Sequence, residues 1–175
     1  MRIIAGKYRG RKLNTPNGQD VRPTSDRVRE NIFNIIQWRI AGSAVLDLFA
    51  GTGAMGIEAI SRGATAVFND KDMSSVALIK DNLIYLNEKA EVFNLDYAAA
   101  LSRLKGRQFD TIFLDPPYAL DATNVINIIN ENKLLKKNGL IVYEHSAEKQ
   151  YEYTGFTVAD SRKYGTVAVD FLEEK

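Results

Sequence analysis

The stretch AVLDLFAGTGAMG, residues 44–56, decides the fold of this chain. Its first part, residues 44–50, is a short apolar run that predicts a buried strand. Gly51 and Gly53 then allow the backbone to turn tightly, and they leave room for a ligand to approach the main chain. Ile57 and Ile60 follow at helical spacing, so the pattern predicts a strand, a glycine turn and a helix.

Strand and helix patterns continue to alternate along the rest of the chain. Further strands are predicted at 65–70, 91–96, 109–115 and 140–145, and further helices at 74–87, 98–104 and 123–135, the last one ended by Asn138-Gly139. The tail, residues 156–174, has the pattern of a closing antiparallel hairpin. This alternation predicts an α/β fold with a doubly wound, mostly parallel seven-stranded sheet and helices on both faces.

The amino-terminal part has a different pattern. Residues 1–23 are interrupted by glycine and proline, which predicts a short hairpin and loops. The polar residues 24–26 favour the start of a helix with one apolar face, and Trp38 is expected to pack within that helix. We expect a single domain over residues 1–175, with 1–23 as a basic extension and 24–175 as a Rossmann-like core.

The composition excludes several classes of protein. There is no cysteine, which excludes disulfide scaffolds, thiolate zinc sites and cysteine nucleophiles. The single histidine, His145, lies beside Glu144 at the end of a predicted strand and is expected to be structural, although a crevice-facing role stays open. No apolar run approaches the roughly 18 residues that span a bilayer, and the first residues lack the apolar core of a signal peptide. We expect a soluble, cytoplasmic protein.

The net charge of +1 hides an imbalance along the chain. Residues 1–30 carry eight basic and three acidic side chains, whereas the remainder carries 15 basic and 19 acidic ones. A basic first region and an acidic remainder predict two regions that bind ligands of opposite charge. The alternative is a solvated basic terminus that binds no partner. The basic residues of the first region are Arg2, Lys7, Arg9, Arg11, Lys12, Arg22, Arg27 and Arg29.

Acidic residues stand at the carboxyl ends of four predicted strands, where doubly wound sheets bind their ligands. They are Asp47, Asp70, Asp96 and Asp115. Asp70 lies 19 residues after Gly51 and can accept hydrogen bonds from both hydroxyls of a ribose. The glycine pattern alone fits NAD enzymes as well as nucleoside-binding methyltransferases, and it also fits a turn that serves packing only.

The position of Asp47 distinguishes NAD enzymes from nucleoside-binding methyltransferases. A dinucleotide places its pyrophosphate at the helix N-terminus, where a nearby carboxylate would repel it. S-adenosylmethionine has an ammonium, a sulfonium and a ribose but no phosphate, so an acid-lined crevice suits it, with Asp47 orienting the ammonium directly or through water. Asp96 is expected to accept a hydrogen bond from the adenine amino group or to cap the next helix, and the two roles are compatible.

The turn Asp115-Pro116-Pro117-Tyr118 follows the fourth predicted strand. Two prolines remove two N–H donors, so the turn presents carbonyls and the Asp115 carboxylate as acceptors. Such an array matches an –NH₂ group, whose lone pair is then aimed at the sulfonium methyl. Tyr118 supplies a flat face for a purine, worth about 1–3 kcal/mol. The turn therefore predicts in-line methyl transfer to the amine of a base turned out of its stack.

Together with the amino-terminal motifs, these segments resemble the RsmD family of bacterial methyltransferases over nearly the whole chain. The glycine turn and the Asp-Pro-Pro-Tyr turn are shared by many amino-methyltransferases, whereas the segment Arg22-Pro-Thr-Ser-Asp26-Arg-Val-Arg-Glu30 behind the basic hairpin is more specific. The resemblance implies methylation of the exocyclic N2 of a guanine in 16S ribosomal RNA, with S-adenosylmethionine as methyl donor. It also implies a substrate within an assembling or assembled small subunit. Separately, we expect a monomer, the default for a chain with no obvious spare apolar face, and no metal, because the mechanism needs none.

The resemblance implies roles by position as well. The cofactor-binding residues would be Asp47, Phe49, Gly51, Gly53, Asp70 and Asp96. The catalytic residues that hold the guanine amine would be Asp115, Pro116, Pro117 and Tyr118. The eight basic residues of the first region would bind RNA, with an affinity that falls as the salt concentration rises.

Other functions stay open at this point. A methyltransferase acting on adenine N6 of DNA, or on another RNA, would use the same Asp115 turn, and only substrate assays separate it. An NAD-linked oxidoreductase fits the glycine pattern but leaves the Asp-Pro-Pro-Tyr turn without a task. A non-catalytic RNA-binding protein would have no need of Gly51, Asp70 and Asp115 together.

Overall fold

The computed structural model describes residues 1–16, 23–117 and 119–175, without the side chains of 23–25. The described residues form five helices, which are α1 (Pro23–Ile40), α2 (Ala54–Ser61), α3 (Met73–Tyr85), α4 (Tyr97–Arg103) and α5 (Thr123–Glu131). They also form seven strands, which are β1 (Ala44–Asp47), β2 (Thr65–Asn69), β3 (Glu91–Phe93), β4 (Phe109–Leu114), β5 (Leu135–Ser146), β6 (Phe156–Tyr164) and β7 (Val167–Glu174). Among the described helices, none is both long and apolar enough to cross a membrane.

The strands form one sheet in the order β3-β2-β1-β4-β5-β7-β6. Strands β1 to β5 run parallel, whereas β7 lies antiparallel between β5 and β6. The predicted fold class, including the antiparallel hairpin at the end of the chain, is confirmed. The chain order reverses between β1 and β4, and ligands of open α/β sheets bind in the crevice at such a reversal, beyond the carboxyl ends of the strands.

Side chains alternate between the two faces of the sheet along each strand, so both faces present apolar side chains and helices pack on both. Val45 packs in the core under α1, α2 and α3, whereas its neighbour Leu46 packs in the core under α4 and α5. The same alternation places Phe113 in the first core and Ile112 in the second. The face to which a strand-end residue points can therefore be read from its position in the strand.

The amino-terminal segment is a short hairpin held against the first core. Arg2 and Lys12 pair as an antiparallel bridge, and the side chains of Ile3 and Leu13 are buried. The predicted packing of Trp38 is wrong, because its side chain is 90% exposed. Trp38 follows the buried Ile36 by two positions, and two residues turn a helix through about 200°, so its side chain points away from the core.

The boundary between α5 and β5 also differs from the prediction. The helix ends at Glu131 rather than at 135, and Lys133 adopts a φ of 51°, which stops helical progression. Leu135 already pairs with Phe109 of β4, and the next pair is Leu140 with Thr111. Residues 136–139 therefore form an irregularity within β5, and the Asn138-Gly139 pattern marks this bulge instead of the end of a helix.

Candidate active site

The glycine turn connects β1 to α2 with two glycines in the left-handed region. Gly51 has a φ of 51° and Gly53 a φ of 77°. Asp47, the last residue of β1, is only 4% exposed, and its Oδ2 accepts a hydrogen bond of 2.9 Å from the backbone N–H of Gly56. Burial raises the pKa of Asp47 to about 7, although this hydrogen bond opposes the rise. Asp47 thus fixes the first turn of α2 while its side chain borders a cavity.

Asp70 connects this turn to the next loop. Its Oδ2 accepts the backbone N–H of Gly51 at 2.8 Å, and its Oδ1 accepts that of Asp72 at 2.9 Å. Each carboxylate oxygen has a further lone pair, so both oxygens can still accept a hydroxyl hydrogen from a ligand. The carboxylate is therefore oriented by the backbone and remains available for the predicted ribose contact.

A cavity of about 660 Å³ lies beyond the carboxyl ends of β1, β2 and β4. Asp70, Asp96 and Phe49 line it, together with Pro116 and Pro117. Asp96 also caps α4, because its Oδ1 accepts the N–H of Ala98 at 2.9 Å. The predicted cap is thus present, and the carboxylate still borders the cavity.

A second cavity, of about 280 Å³, lies on the α1 side of the same crevice. Met1, Arg29 and Asp47 line it. The residues that border both cavities are Phe49, Gly51, Asp115 and Glu144. The two cavities therefore meet at Asp115 and Glu144, and together they form one elongated crevice.

Asp115 follows β4 directly and begins the proline turn. Its side chain is exposed along the crevice, yet the surrounding protein excludes enough water to raise the pKa of its carboxyl to about 6. Pro116 is buried and Pro117 is exposed, and neither supplies an N–H. The turn thus places the Asp115 carboxylate beside both cavities, and its role as an acceptor for an amine stays a prediction. Tyr118, the predicted stacking residue, lies outside the described residues.

Glu144 is a crevice residue that the sequence reasoning missed. Leu114 of β4 pairs with Tyr143 of β5, so Asp115 and Glu144 occupy corresponding positions at the ends of neighbouring parallel strands. Burial, followed by the charge of Asp115, raises the pKa of Glu144 to about 7. The signal that could have found it is the one used for Asp70 and Asp115, namely an acid at the carboxyl end of a predicted strand.

The predicted RNA-binding residues divide into two groups. Those with exposed side chains are Arg2, Lys7, Arg9, Arg11, Lys12 and Arg27. Arg29 differs because its side chain is only 4% exposed. One guanidinium nitrogen donates to the carbonyl oxygen of Arg2 at 2.7 Å, and another lies 3.1 Å from the carboxylate of Asp26. Arg29 therefore lies outside the exposed basic surface that was predicted for it and borders the smaller cavity instead. Arg22 lies outside the described residues.

The basic hairpin is anchored on α2, the helix that follows the glycine turn. The buried carboxylate of Glu58 accepts the backbone N–H groups of Ile4 at 2.9 Å and Ala5 at 3.0 Å. The carbonyl oxygen of Ser61 accepts the N–H of Lys7 at 2.8 Å, and the Ser61 hydroxyl donates to the carbonyl of Ala5 at 2.6 Å. These contacts fix the position of the exposed cations relative to the crevice.

His145 has a structural setting. Its side chain is 6% exposed, its Nε2 lies 3.1 Å from Oδ2 of Asp170, and its Nδ1 lies 2.9 Å from the carbonyl oxygen of Ser146. Burial lowers the pKa of His145, but the hydrogen bonds to Asp170 and Ser146 and the charges of Asp170 and Glu144 together outweigh this effect, so the pKa is raised. Alternation along β5 directs His145 to the face opposite to Glu144.

The described residues contain no group of three or more histidine and acidic side chains placed to hold a metal ion. The order of the strands, the acid-lined crevice at their reversal and the proline turn after β4 define a class I, Rossmann-like methyltransferase. More particularly, the chain belongs to the RsmD family, since the family model described as conserved hypothetical protein 95 matches residues 1–173. The predicted family and enzyme class are confirmed.

Individual relatives agree with this assignment. The putative rRNA methyltransferase YlbH of Bacillus subtilis is 38% identical over 183 aligned positions that cover 100% of both chains. The ribosomal RNA small subunit methyltransferase D of Haemophilus influenzae is 43% identical over 158 positions, which cover 85% of this chain and 80% of that protein. The solved structure of the putative methyltransferase yhhF from Escherichia coli has a TM-score of 0.90 and 34% identity, and the match covers 100% of this chain and 98% of that one.

Proposed function

We propose that this protein transfers the methyl group of S-adenosylmethionine to the exocyclic N2 amine of a guanine in small-subunit ribosomal RNA. The observation that carries the proposal is the position of the Asp115-Pro116-Pro117 turn, whose carboxylate borders both cavities of the crevice. The names of the Haemophilus influenzae relative and of several others, each a ribosomal RNA small subunit methyltransferase D, support the choice of RNA.

The crevice fits S-adenosylmethionine. In the larger cavity, Asp70 and Asp96 offer acceptors for the ribose hydroxyls and for the adenine amino group. In the smaller cavity, Arg29 and Asp47 offer a cation and a carboxylate, which match the carboxylate and the ammonium of the methionine end. The acids along the crevice also favour a cationic sulfonium over a phosphorylated ligand.

When bound, S-adenosylmethionine supplies a methyl group on a sulfonium, whose carbon–sulfur bond breaks as the carbon–nitrogen bond forms. Asp115 accepts one hydrogen of the amine, and a carbonyl of the proline turn accepts the other, which directs the nitrogen lone pair away from the turn. The amine hydrogen becomes acidic as the nitrogen gains its fourth bond, and it then passes to the Asp115 carboxylate. Positioning and charge stabilisation supply most of the rate, so a strong base is not required.

The mechanism predicts that methyl transfer slows in mild acid. The accepting form of Asp115 is the carboxylate, and the partial exclusion of water by the surrounding crevice raises the pKa of that carboxyl to about 6, so protonation removes the acceptor as the pH falls through this value. We expect the single-turnover rate to fall at least about tenfold for each pH unit below about 6 and to level off only above about 7, where the neighbouring Glu144 is also ionised. Rapid-quench assays with saturating RNA, accompanied by RNA-binding measurements at each pH, check this. A rate that is flat across this range would contradict the role of Asp115.

The exposed cations of the amino-terminal hairpin are proposed to bind phosphate groups. Replacement of Arg9, Arg11 and Lys12 together by Ala is expected to weaken RNA binding and to reduce the log–log salt slope by about 2–3, since each phosphate contact contributes about 0.7–0.9. Affinity for S-adenosylmethionine should not change, because these side chains lie outside both cavities. Fluorescence anisotropy over a range of salt concentrations measures the effect.

A matched control removes the same number of charges from other surfaces. Lys105, Lys137 and Lys163 are exposed and lie outside the hairpin. Their joint replacement by Ala should leave most of the RNA affinity in place. An equal loss in both triple variants would indicate a general effect of net charge and would count against a binding surface on the hairpin.

Methylation of small-subunit particles tests the proposal as a whole. Particles from cells that lack this enzyme would be incubated with the protein and labelled S-adenosylmethionine, with naked ribosomal RNA and DNA as parallel substrates. We expect incorporation into particles or into ribosomal RNA, at the N2 of one guanine located by mass spectrometry, and a monomer in light scattering. Transfer to adenine N6, or to DNA alone, would refute the proposal.

A further inference from the structure

The crevice contains two adjacent carboxylates that have no donors within the described protein. Asp115 and Glu144 stand side by side at the ends of β4 and β5, and neighbouring strands lie about 4.8 Å apart. The residue directly before each of these acids packs in the core under α4 and α5. Because side chains alternate along a strand, Asp115 and Glu144 both point to the opposite face of the sheet, where Asp47 also lies. Neither carboxylate forms a hydrogen bond or an ion pair with another described residue, unlike Asp70 and Asp96, which are engaged by backbone N–H groups.

A pair of unfilled acceptors matches one edge of guanine. On its Watson–Crick edge guanine presents the N1–H donor directly beside the N2 amine, and flipped bases are read on this edge. Adenine presents an amine too, but its N1 is an acceptor and would face a carboxylate without a hydrogen between them. A carboxylate beside the amine-binding residue therefore favours guanine and disfavours adenine.

On this basis, which rests on the proposed function, we propose that Glu144 selects guanine by accepting its N1–H while Asp115 accepts a hydrogen of N2. Glu144 borders both cavities together with Asp115, which places it at the point where a base held by the proline turn would present that edge. The same carboxylate stabilises the positive charge that the guanine ring gains as N2 is methylated. The N1–H bond stays intact, and the proton that leaves comes from N2.

The test compares two bases that both carry the N2 amine. Small-subunit particles would be reconstituted with RNA that has either guanine or 2-aminopurine at the mapped target position. The N1 of 2-aminopurine is an acceptor, so it lacks the hydrogen that Glu144 is proposed to read. We expect the parent enzyme to favour guanine by at least about 30-fold in kcat/KM, within the range of discrimination that a two-bond base contact provides.

The substitution Glu144→Gln is expected to abolish this discrimination. An amide can accept from N1–H of guanine with its oxygen, and it can donate to N1 of 2-aminopurine with its nitrogen. The two rates should then lie within about threefold of each other, with the guanine rate reduced because the charged acceptor is lost. Glu148→Gln, the same change at an exposed position in the loop after β5, serves as the control and should keep the preference of the parent.

A binding measurement complements the rates. RNA that carries 2-aminopurine at the target position should bind more tightly to Glu144→Gln than to the parent, as measured by fluorescence anisotropy. Equal rates on the two bases for the parent, or an unchanged preference in Glu144→Gln, would overturn the assignment of Glu144 while leaving the proposed function in place. If the parent methylates neither base at that position, the proposed function itself fails and the inference fails with it.

Discussion

Replacement of Asp115 by Ala is expected to reduce methyl transfer by about 10³-fold or more, while the affinity for S-adenosylmethionine stays within a few-fold of the parent value. The carboxylate is the acceptor that orients the amine, and removing it leaves the nitrogen lone pair without a fixed direction. The fold should tolerate the change, because Asp115 forms no hydrogen bond with another described residue and its charge raises the pKa of Glu144. Removing one of two adjacent carboxylates relieves repulsion in the empty crevice.

Single-turnover assays and calorimetry with S-adenosylmethionine separate these two effects. Asp115→Asn is informative beside Asp115→Ala, because the amide keeps the shape of the side chain but lacks the negative charge. Asp81→Ala, at an exposed position on α3, provides a control for the loss of one acid. Turnover by Asp115→Ala near the parent rate would refute the proposed role.

Replacement of Gly6 by Ala is expected to detach the basic hairpin from α2 and to weaken RNA binding by tenfold or more. A Cβ at Gly6 would lie 1.9 Å from the carbonyl oxygen of Ser61, a backbone atom that cannot move aside by a simple rotation. The φ of +83° at Gly6 adds strain for any other residue. Loss of the contacts to Glu58 and Ser61 would follow, and we expect a cost of about 3 kcal/mol or more in the free energy of unfolding.

Gly10 offers a matched control within the same hairpin. Its φ of +84° is nearly that of Gly6, but a Cβ there would meet no atom within 4 Å. Gly10→Ala should therefore cost only about 1–2 kcal/mol from backbone strain, with the hairpin still attached to α2. Thermal unfolding and fluorescence anisotropy with RNA measure both variants. If Gly6→Ala behaved like Gly10→Ala in both measurements, the contact between the hairpin and α2 would not position the cations.

The sequence predicts the sheet and most of the crevice for a simple physical reason. In a parallel sheet all strands end at the same edge, so acids placed directly after apolar runs, such as Asp47, Asp70 and Asp115, come together there. Glu144 obeys the same rule, but three polar residues, Glu144, His145 and Ser146, follow one another at the end of its strand, and sequence alone does not show which of them faces the crevice.

Other features depend on tertiary contacts that no local pattern encodes. The burial of Arg29 arises from the amino-terminal hairpin. Its guanidinium donates a hydrogen bond to the carbonyl oxygen of Arg2, and these two residues are 27 positions apart. The exposure of Trp38 depends on which helical face meets the core, and an aromatic residue beside an apolar stripe looks buried in sequence alone. The bulge in β5 is set by pairing with β4, and the sequence of β5 by itself resembles a turn.

The row of acids along the crevice has a consequence for turnover. Asp47 and Glu144 share one face of the sheet edge, and under the proposed function they lie close to a ligand that loses its positive charge when the methyl group leaves. The spent donor, S-adenosylhomocysteine, is neutral at sulfur and therefore loses an attraction that the fresh donor had. Chemistry itself thus weakens the hold of the enzyme on its by-product, so the same carboxylates that recruit the donor favour its replacement for the next cycle.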